Sequence, residues 1–185
     1  MKVIAIKGSP RRNGDSNTLI DEILRGAKEA GHTVTEYFLQ EMNLKGCQAC
    51  YTCKQPGTSG CDCVIRDDLK PYWAQLHEAD ALVLGAPIYA GSICGPMISY
   101  MNRHYCLLDK AWTVRVKPGI RVIGVFTQGQ SDPNAYLDRI DWFLGDFERR
   151  NMIVRDKIVK TGREPVKNDT ALMRRAYEDG LHLAD

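Results

Sequence analysis

The chain has 185 residues, 44% of them hydrophobic and 26% charged, with 25 basic and 23 acidic side chains for a net charge of +2. That composition excludes disorder, and the near balance of charge provides no global field to draw in nucleic acid or an anionic membrane, so neither is expected as a partner. No apolar run approaches the roughly 18 residues of a membrane span, and the start from Met1 to Lys7 lacks a cleavage pattern, so a cytoplasmic protein is expected.

Lys2 to Lys7 is a short β-branched run stopped by Gly8-Ser9-Pro10, which reads as a buried strand. Leu19, Ile20, Ile23, Leu24 and Ala27 then recur at helical spacing, with Ser16 or Asn17 as the expected N-cap and Gly31 as the stop. Thr33 to Leu39 is a second strand. A short helix from Asp67 or Asp68 carries Leu69, Tyr72, Trp73 and Leu76 inward. Ala81 to Ala86 is apolar on both faces, as a central parallel strand should be. A loop from Pro87 to Gly95 follows, then a helix with Pro96 in its first turn and Met97, Tyr100, Met101, Tyr105 and Leu108 on one face. Val122 to Phe126 is a fourth strand and Pro133 to Arg150 an amphipathic helix. Met152 to Val159 supplies a fifth strand, Gly162 to Lys167 reads as the loosest stretch, and Leu172, Met173, Ala176 and Tyr177 mark a terminal helix.

Strands alternating with helices imply a parallel sheet with right-handed crossovers and helices on both faces. Five strands in so short a chain suit an α/β, flavodoxin-like doubly wound sheet of order 2-1-3-4-5. The expectation is a single domain over residues 1–185, with a cysteine-rich loop at residues 45–66.

In such a sheet ligands bind at the carboxyl ends of the strands, near the switch point between strands one and three. The loop there runs from Gly8 to Thr18 and ends at a helix N-terminus. Small residues admit backbone N–H groups to an anion, Ser9, Ser16 and Thr18 offer hydroxyls, Asn13 and Asn17 amides, and Arg11 or Arg12 a charge. Five residues separate Gly8 from Gly14 and no Lys-Ser/Thr follows, so this is not a triphosphate loop, and Gly-x-Gly-x-x-Gly is missing. A monophosphate is favoured. The bland alternative is a solvated turn whose Ser16, Asn17 and Thr18 merely cap a helix. The histidines His32, His77, His104 and His182 lie singly on or beside expected helices, where surface or capping roles are expected.

Three motifs in order, Gly8-Ser9-Pro10-Arg11 with Asn13 to Thr18, Pro87-Ile88-Tyr89-Ala90-Gly91-Ser92, and Thr127-Gln128-Gly129, make residues 1–130 resemble the NADPH-dependent FMN reductases of flavodoxin-like fold. Within them the chain is most similar to the iron-sulfur flavoproteins. The resemblance implies a bound FMN with its phosphate on Ser9, Arg11, Asn13, Ser16, Asn17 and Thr18. It places the isoalloxazine ring along Pro87, Ile88, Tyr89, Ala90, Gly91 and Ser92, with Thr127 and Gly129 bordering the opposite side. Flavin carries out the redox chemistry itself, so no catalytic side chain is assigned. The resemblance also implies NAD(P)H as donor and a homodimer or homotetramer.

Five of the seven cysteines fall within residues 47–63. The spacing Cys47-x2-Cys50-x2-Cys53-x7-Cys61 matches the compact motif of iron-sulfur flavoproteins, and thiolates so spaced can hold a four-iron four-sulfur cluster. Cys63 is then one ligand too many. Two other readings stay open: thiols without metal, and a zinc site on Cys47, Cys50, Cys61 and Cys63. Cys94 and Cys106 read as small core residues.

The function expected is an FMN-dependent oxidoreductase passing electrons between NAD(P)H or a redox protein and a small acceptor, with the cluster as an added relay. The alternatives are a cluster-free NAD(P)H-dependent FMN or quinone reductase, a flavodoxin-like electron carrier and a flavin-free metal or redox-sensing module. The +2 balance counts against the carrier, since flavodoxins are usually strongly acidic.

Overall fold

The computed structural model describes residues 1–58 and 63–185. Five parallel strands form its sheet: β1 (Lys2–Lys7), β2 (Thr33–Phe38), β3 (Ala81–Tyr89), β5 (Arg121–Thr127) and β6 (Ile153–Lys160). Their order across the sheet is β2-β1-β3-β5-β6, the expected order once β4 (Ser92–Ile93), a two-residue antiparallel partner of β3, is set aside. Register runs Val3 against Ala81, Ala81 against Arg121 and Arg121 against Ile153, so the strands start level and their carboxyl ends emerge together at Lys7, Pro87, Thr127 and Lys160.

Alternation along each strand divides the core in two. Val3, Ala5, Ala81, Val83, Ile123 and Val125 face α1 (Asp15–Glu29) and α5 (Thr170–Leu181). Ile4, Ile6, Leu82, Leu84, Val122 and Phe126 face α2 (Lys70–Glu78), α3 (Gly95–Arg103) and α4 (Leu137–Glu148). Apolar residues at both parities are what a sheet covered on both faces requires. Leu69, Tyr72, Trp73 and Leu76 are all buried, as expected. Gly31, at φ +82°, follows the end of α1 and supplies the left-handed residue of its cap.

Several expectations are corrected. The residue capping α1 is Gly14, without a side-chain bond, and Ser16 and Asn17 lie buried inside the first turn. Pro87 to Ile93 is not a loop: β3 continues through Tyr89 and turns into β4 across Ala90 and Gly91, both at positive φ, a two-residue hairpin whose turn matches the sheet's twist. Proline is tolerated in β3 there because β1 has already ended at Lys7, leaving no ladder to feed on that side. The helix expected from Pro133 begins at Leu137, and the one expected to reach Leu108 stops at Arg103 and tightens into a 3-10 turn at His104–Leu107. His104 is fully buried rather than at the surface. The stretch after β6 is not loose, since Val166 is fully buried and its N–H is bonded to Asp15. Among the described residues no helix is long and apolar enough to cross a membrane.

Candidate functional site

The level carboxyl ends of β1, β3, β5 and β6 frame a pocket of about 460 Å3, inside the range of small-molecule and cofactor sites. One wall is the loop between β1 and α1, which contributes Arg11, Asn13, Gly14 and Asp15. The loop is folded tightly on itself. The Ser9 hydroxyl accepts the Arg11 N–H and donates to the Arg11 carbonyl, both at 3.3 Å, and the Asn17 amide donates to the Arg11 carbonyl at 2.9 Å. A Cβ on Gly14 would lie 2.7 Å from Ser9 Oγ, so only glycine fits there. The first N–H groups of α1 have no partner within the helix and aim its positive end at whatever sits in this loop.

Ser16 Oγ is buried and has no hydrogen-bond partner among the described residues. A buried hydroxyl at a helix N-terminus beside a pocket is a donor available to an anion. Arg12, one of two candidates for the anion's countercharge, is instead paired with Glu41 and stacked over Phe38. Arg11 is exposed and borders the pocket, and its guanidinium makes no bond to another described residue.

A second wall is the β3 end, where Pro87, Ile88 and Tyr89 line the pocket and Tyr89, 46% exposed, stands at the hairpin tip. Ala90, Gly91 and Ser92 form the turn and its first returning residue rather than the lining itself. Opposite, at the carboxyl end of β5, lie Thr127, Gln128 and Gly129. The buried Gln128 amide donates to the Asp132 carbonyl at 2.7 Å, while its Oε1 has no partner among the described residues. These features fit a flavin mononucleotide: an anion grip at one end, a rigid hairpin along one edge and an unpaired acceptor on the other.

The remaining wall escaped the sequence reading. Lys160, Gly162, Arg163 and Pro165, from the end of β6 and the turn beyond it, also line the pocket, as does Asp15. The signal that could have found them is their place: in a doubly wound sheet the residues just past the carboxyl end of any strand near the switch point are candidates.

The cysteine segment is clamped to the α2–α3 face of the sheet. Cys53 and Cys63 are buried, Cys47 and Cys50 exposed, and all four line one narrow cleft with Arg103 and Cys106. Cys61 lies outside the described residues. Burial pushes the Cys53 thiol up, a shift the Lys54 charge opposes and the neighbouring thiols of Cys63, Cys50 and Cys47 reinforce, whereas hydrogen bonding from Thr52 draws Cys50 down. The donor set suits soft-metal or cluster chemistry. The described thiols alone do not complete a site: the cleft measures about 10 Å3, and among the described residues no three His, Cys, Asp or Glu side chains stand close enough to share a metal ion.

Comparison with known proteins places this geometry. A family model described as NADPH-dependent FMN reductase matches residues 1–132. An iron-sulfur flavoprotein of Methanocaldococcus jannaschii is 35% identical over 103 residues, 56% of this chain and 51% of its own. Another, from Methanosarcina thermophila, is 29% identical over 119 residues, 64% of this chain and 60% of its own. The chain thus spans little more than half the length of these relatives. An NAD(P)H:quinone oxidoreductase from Methanothermobacter marburgensis shares the fold at a TM-score of 0.74 and 16% identity, over 100% of this chain and 96% of the other. An FMN-dependent NADH-azoreductase from Bacillus anthracis, solved with FMN, does so at 0.72 and 15%, over 100% of both chains.

Proposed function

The chain belongs to the NADPH-dependent FMN reductase family, and from that premise we propose that residues 1–185 act as one FMN-binding oxidoreductase domain, passing electrons from NAD(P)H or a redox protein to a small acceptor. The observation that carries the reading is the convergence of an anion-binding helix start, an exposed hairpin tyrosine and an unpaired buried acceptor on one pocket of cofactor size. The near balance of charge offers no general attraction to nucleic acid or an anionic membrane, and the family suggests a cytoplasmic setting and a homodimer or homotetramer.

When bound, FMN supplies the two-electron and one-electron chemistry. The protein's part is to place it. The hydroxyls of Ser16 and Thr18 and the Arg11 guanidinium would hold the phosphate, joined by Ser9 once its hydroxyl turns from the Arg11 carbonyl, with Asn13 at the mouth and Asn17 keeping the loop in shape. Pro87, Ile88 and Tyr89, stiffened by the Ala90-Gly91 turn and Ser92, would edge the ring, and Thr127, Gly129 and the Gln128 carbonyl oxygen would meet its polar rim. A pocket open at the Tyr89 side leaves a ring face where a nicotinamide or acceptor can stack.

The second reading adds a four-iron four-sulfur cluster on Cys47, Cys50, Cys53 and Cys61, supported by the similarity to iron-sulfur flavoproteins and by the one cleft that Cys47, Cys50 and Cys53 share. Cys63, in the same cleft, competes with Cys61 for the fourth position.

Anaerobic purification followed by a visible spectrum with FMN, iron and sulfide assays separates these readings. About one FMN per chain, reducible by NAD(P)H, is expected. A protein that neither retains FMN nor takes it up in titration would refute the flavin reading, and FMN without iron would remove only the cluster.

A further inference from the structure

Residues 160–166 lie beyond the 1–132 family match, yet they close the pocket beside the phosphate loop. Four contacts fix them. Lys160 is buried, donates its ammonium to the Gly162 carbonyl at 2.9 Å and stands 3.5 Å from Asp15 Oδ2. Asp15 Oδ1 accepts the Val166 N–H at 3.1 Å, and the Gly162 N–H reaches the Gln130 carbonyl at 2.9 Å. Gly162 sits at φ +72°, which lets the chain turn back over the strand ends.

This arrangement resolves an oddity in the first turn of α1. A carboxylate at Asp15, beside an anion grip, would repel a phosphate. Here its two oxygens face Lys160 and Val166, so its charge is balanced locally and the side chain serves as the latch for the far loop. With Asp15 set against Lys160 and Arg12 against Glu41, the charges bordering the pocket that have no counterion among the described residues are Arg11 and Arg163. They come from the two loops that the Asp15–Val166 bond holds together. A phosphate monoester carries about −1.5 to −2 at neutral pH, which two guanidiniums match in charge and, by bidentate bonding, in geometry.

Resting on the flavin reading above, we propose that Arg163 is a second phosphate ligand, which clasps the 5′-phosphate of FMN from the side opposite Arg11 and makes the site select FMN over riboflavin. The test is titration of the flavin-free protein with FMN and with riboflavin, followed by flavin fluorescence, in wild type, Arg163→Gln and Arg163→Lys. Arg163 is exposed, and circular dichroism of each variant verifies that the fold is kept. Arg163→Gln is expected to raise the FMN dissociation constant at least about tenfold and leave riboflavin unchanged. Arg163→Lys should fall between, and rising salt should narrow the gap between wild type and the glutamine variant. FMN affinity unchanged in Arg163→Gln, or FMN and riboflavin weakened equally, overturns the proposal, as does an effect confined to the KM for NADPH and not NADH, which would assign Arg163 to the donor's phosphate. Wild-type protein that binds neither flavin defeats the underlying flavin reading instead, a result distinct from all of these.

Discussion

Arg103 and Asp67 form an ion pair with both side chains completely buried, and the pair closes the cysteine segment at both of its ends. Arg103 also donates to the Lys45 carbonyl at 2.8 Å, and Asp67 accepts the Lys45 N–H at 3.0 Å and the Leu69 N–H at 3.2 Å. Residue 45 enters the segment and residue 67 leaves it, so one guanidinium on α3 gathers the chain before and after the thiols, with Cys63 against the same group.

Removing one partner leaves a charge stranded in the core. Arg103→Met should therefore destabilise the protein by about 3–5 kcal/mol in urea unfolding, and the double variant Arg103→Met, Asp67→Leu should recover part of that loss. A single-variant loss below about 1 kcal/mol would show that the pair is not structural. Burial alone would raise the Asp67 pKa, but the Arg103 bond and the backbone N–H donors outweigh it and hold it below the usual carboxylate range. Its stabilisation is thus present above the unfolded value near about 4 and disappears as pH falls through the lower folded value.

The cysteine cleft makes its own prediction. Cys53 is buried among the other thiols, while Cys106 approaches the same cleft from the turn after α3. If the segment holds a cluster, Cys53→Ser should lose nearly all iron and sulfide on anaerobic purification, and Cys106→Ser should keep both. Of Cys61→Ser and Cys63→Ser, the variant that loses iron identifies the fourth ligand. Wild-type iron in Cys53→Ser would exclude Cys53 as a ligand.

The three central strands β1, β3 and β5 were readable because both parities of each are apolar, which a sheet covered on both faces demands, and the edge strands β2 and β6 because each carries β-branched residues between turn signals. The loop between β1 and α1 was readable as a wall of the pocket for a local reason too, since hydroxyls, glycines and a helix start fall within eleven residues. The Pro87 hairpin was not, because its turn is Ala90-Gly91 rather than the Asn-Gly pair that announces positive φ at both positions. Arg163 and Lys160 were hidden by distance: the bond that brings them to the pocket joins positions 151 apart. His104 was misplaced for the same reason, since the tyrosine that buries it comes from α2.

The contact between α1 and α5 sets propensity against packing. A Cβ on Gly180 would fall 1.8 Å from the Ile23 carbonyl oxygen, and one on Gly26 would fall 2.1 Å from that of Tyr177. Helix propensity alone predicts that Gly180→Ala gains about 1 kcal/mol. The structure predicts the opposite sign, because the helices must separate, at a cost of about 1–3 kcal/mol or more. Urea unfolding decides it, and a stabilised variant would show that the two helices do not approach this closely.

His104 gives the fold a pH dependence that can be isolated. Its Nε2 lies 3.0 Å from Tyr72 Oη, which lies 2.6 Å from Tyr100 Oη, and Nδ1 has no partner among the described residues. Burial, aided by the Arg150 charge, holds its pKa well below the usual histidine value, so the folded protein keeps the ring neutral. The unfolded chain takes up a proton below about pH 6.5, and stability from this group is full above that value and falls as pH drops, by about 1.4 kcal/mol per pH unit. Asp179 acts with the opposite sign. Burial and the Asp156 charge push it up to about 6, so its contribution grows as pH falls through 6 and masks the histidine between about 4 and 6. The comparison is therefore Asp179→Asn against Asp179→Asn with His104→Gln, by urea unfolding from pH 7 to pH 5. The single variant should lose stability more steeply than the double by about 1.4 kcal/mol per unit below pH 6.5. Parallel curves would mean that His104 is protonated in the folded state, and that the tyrosine pair does not enclose a neutral ring.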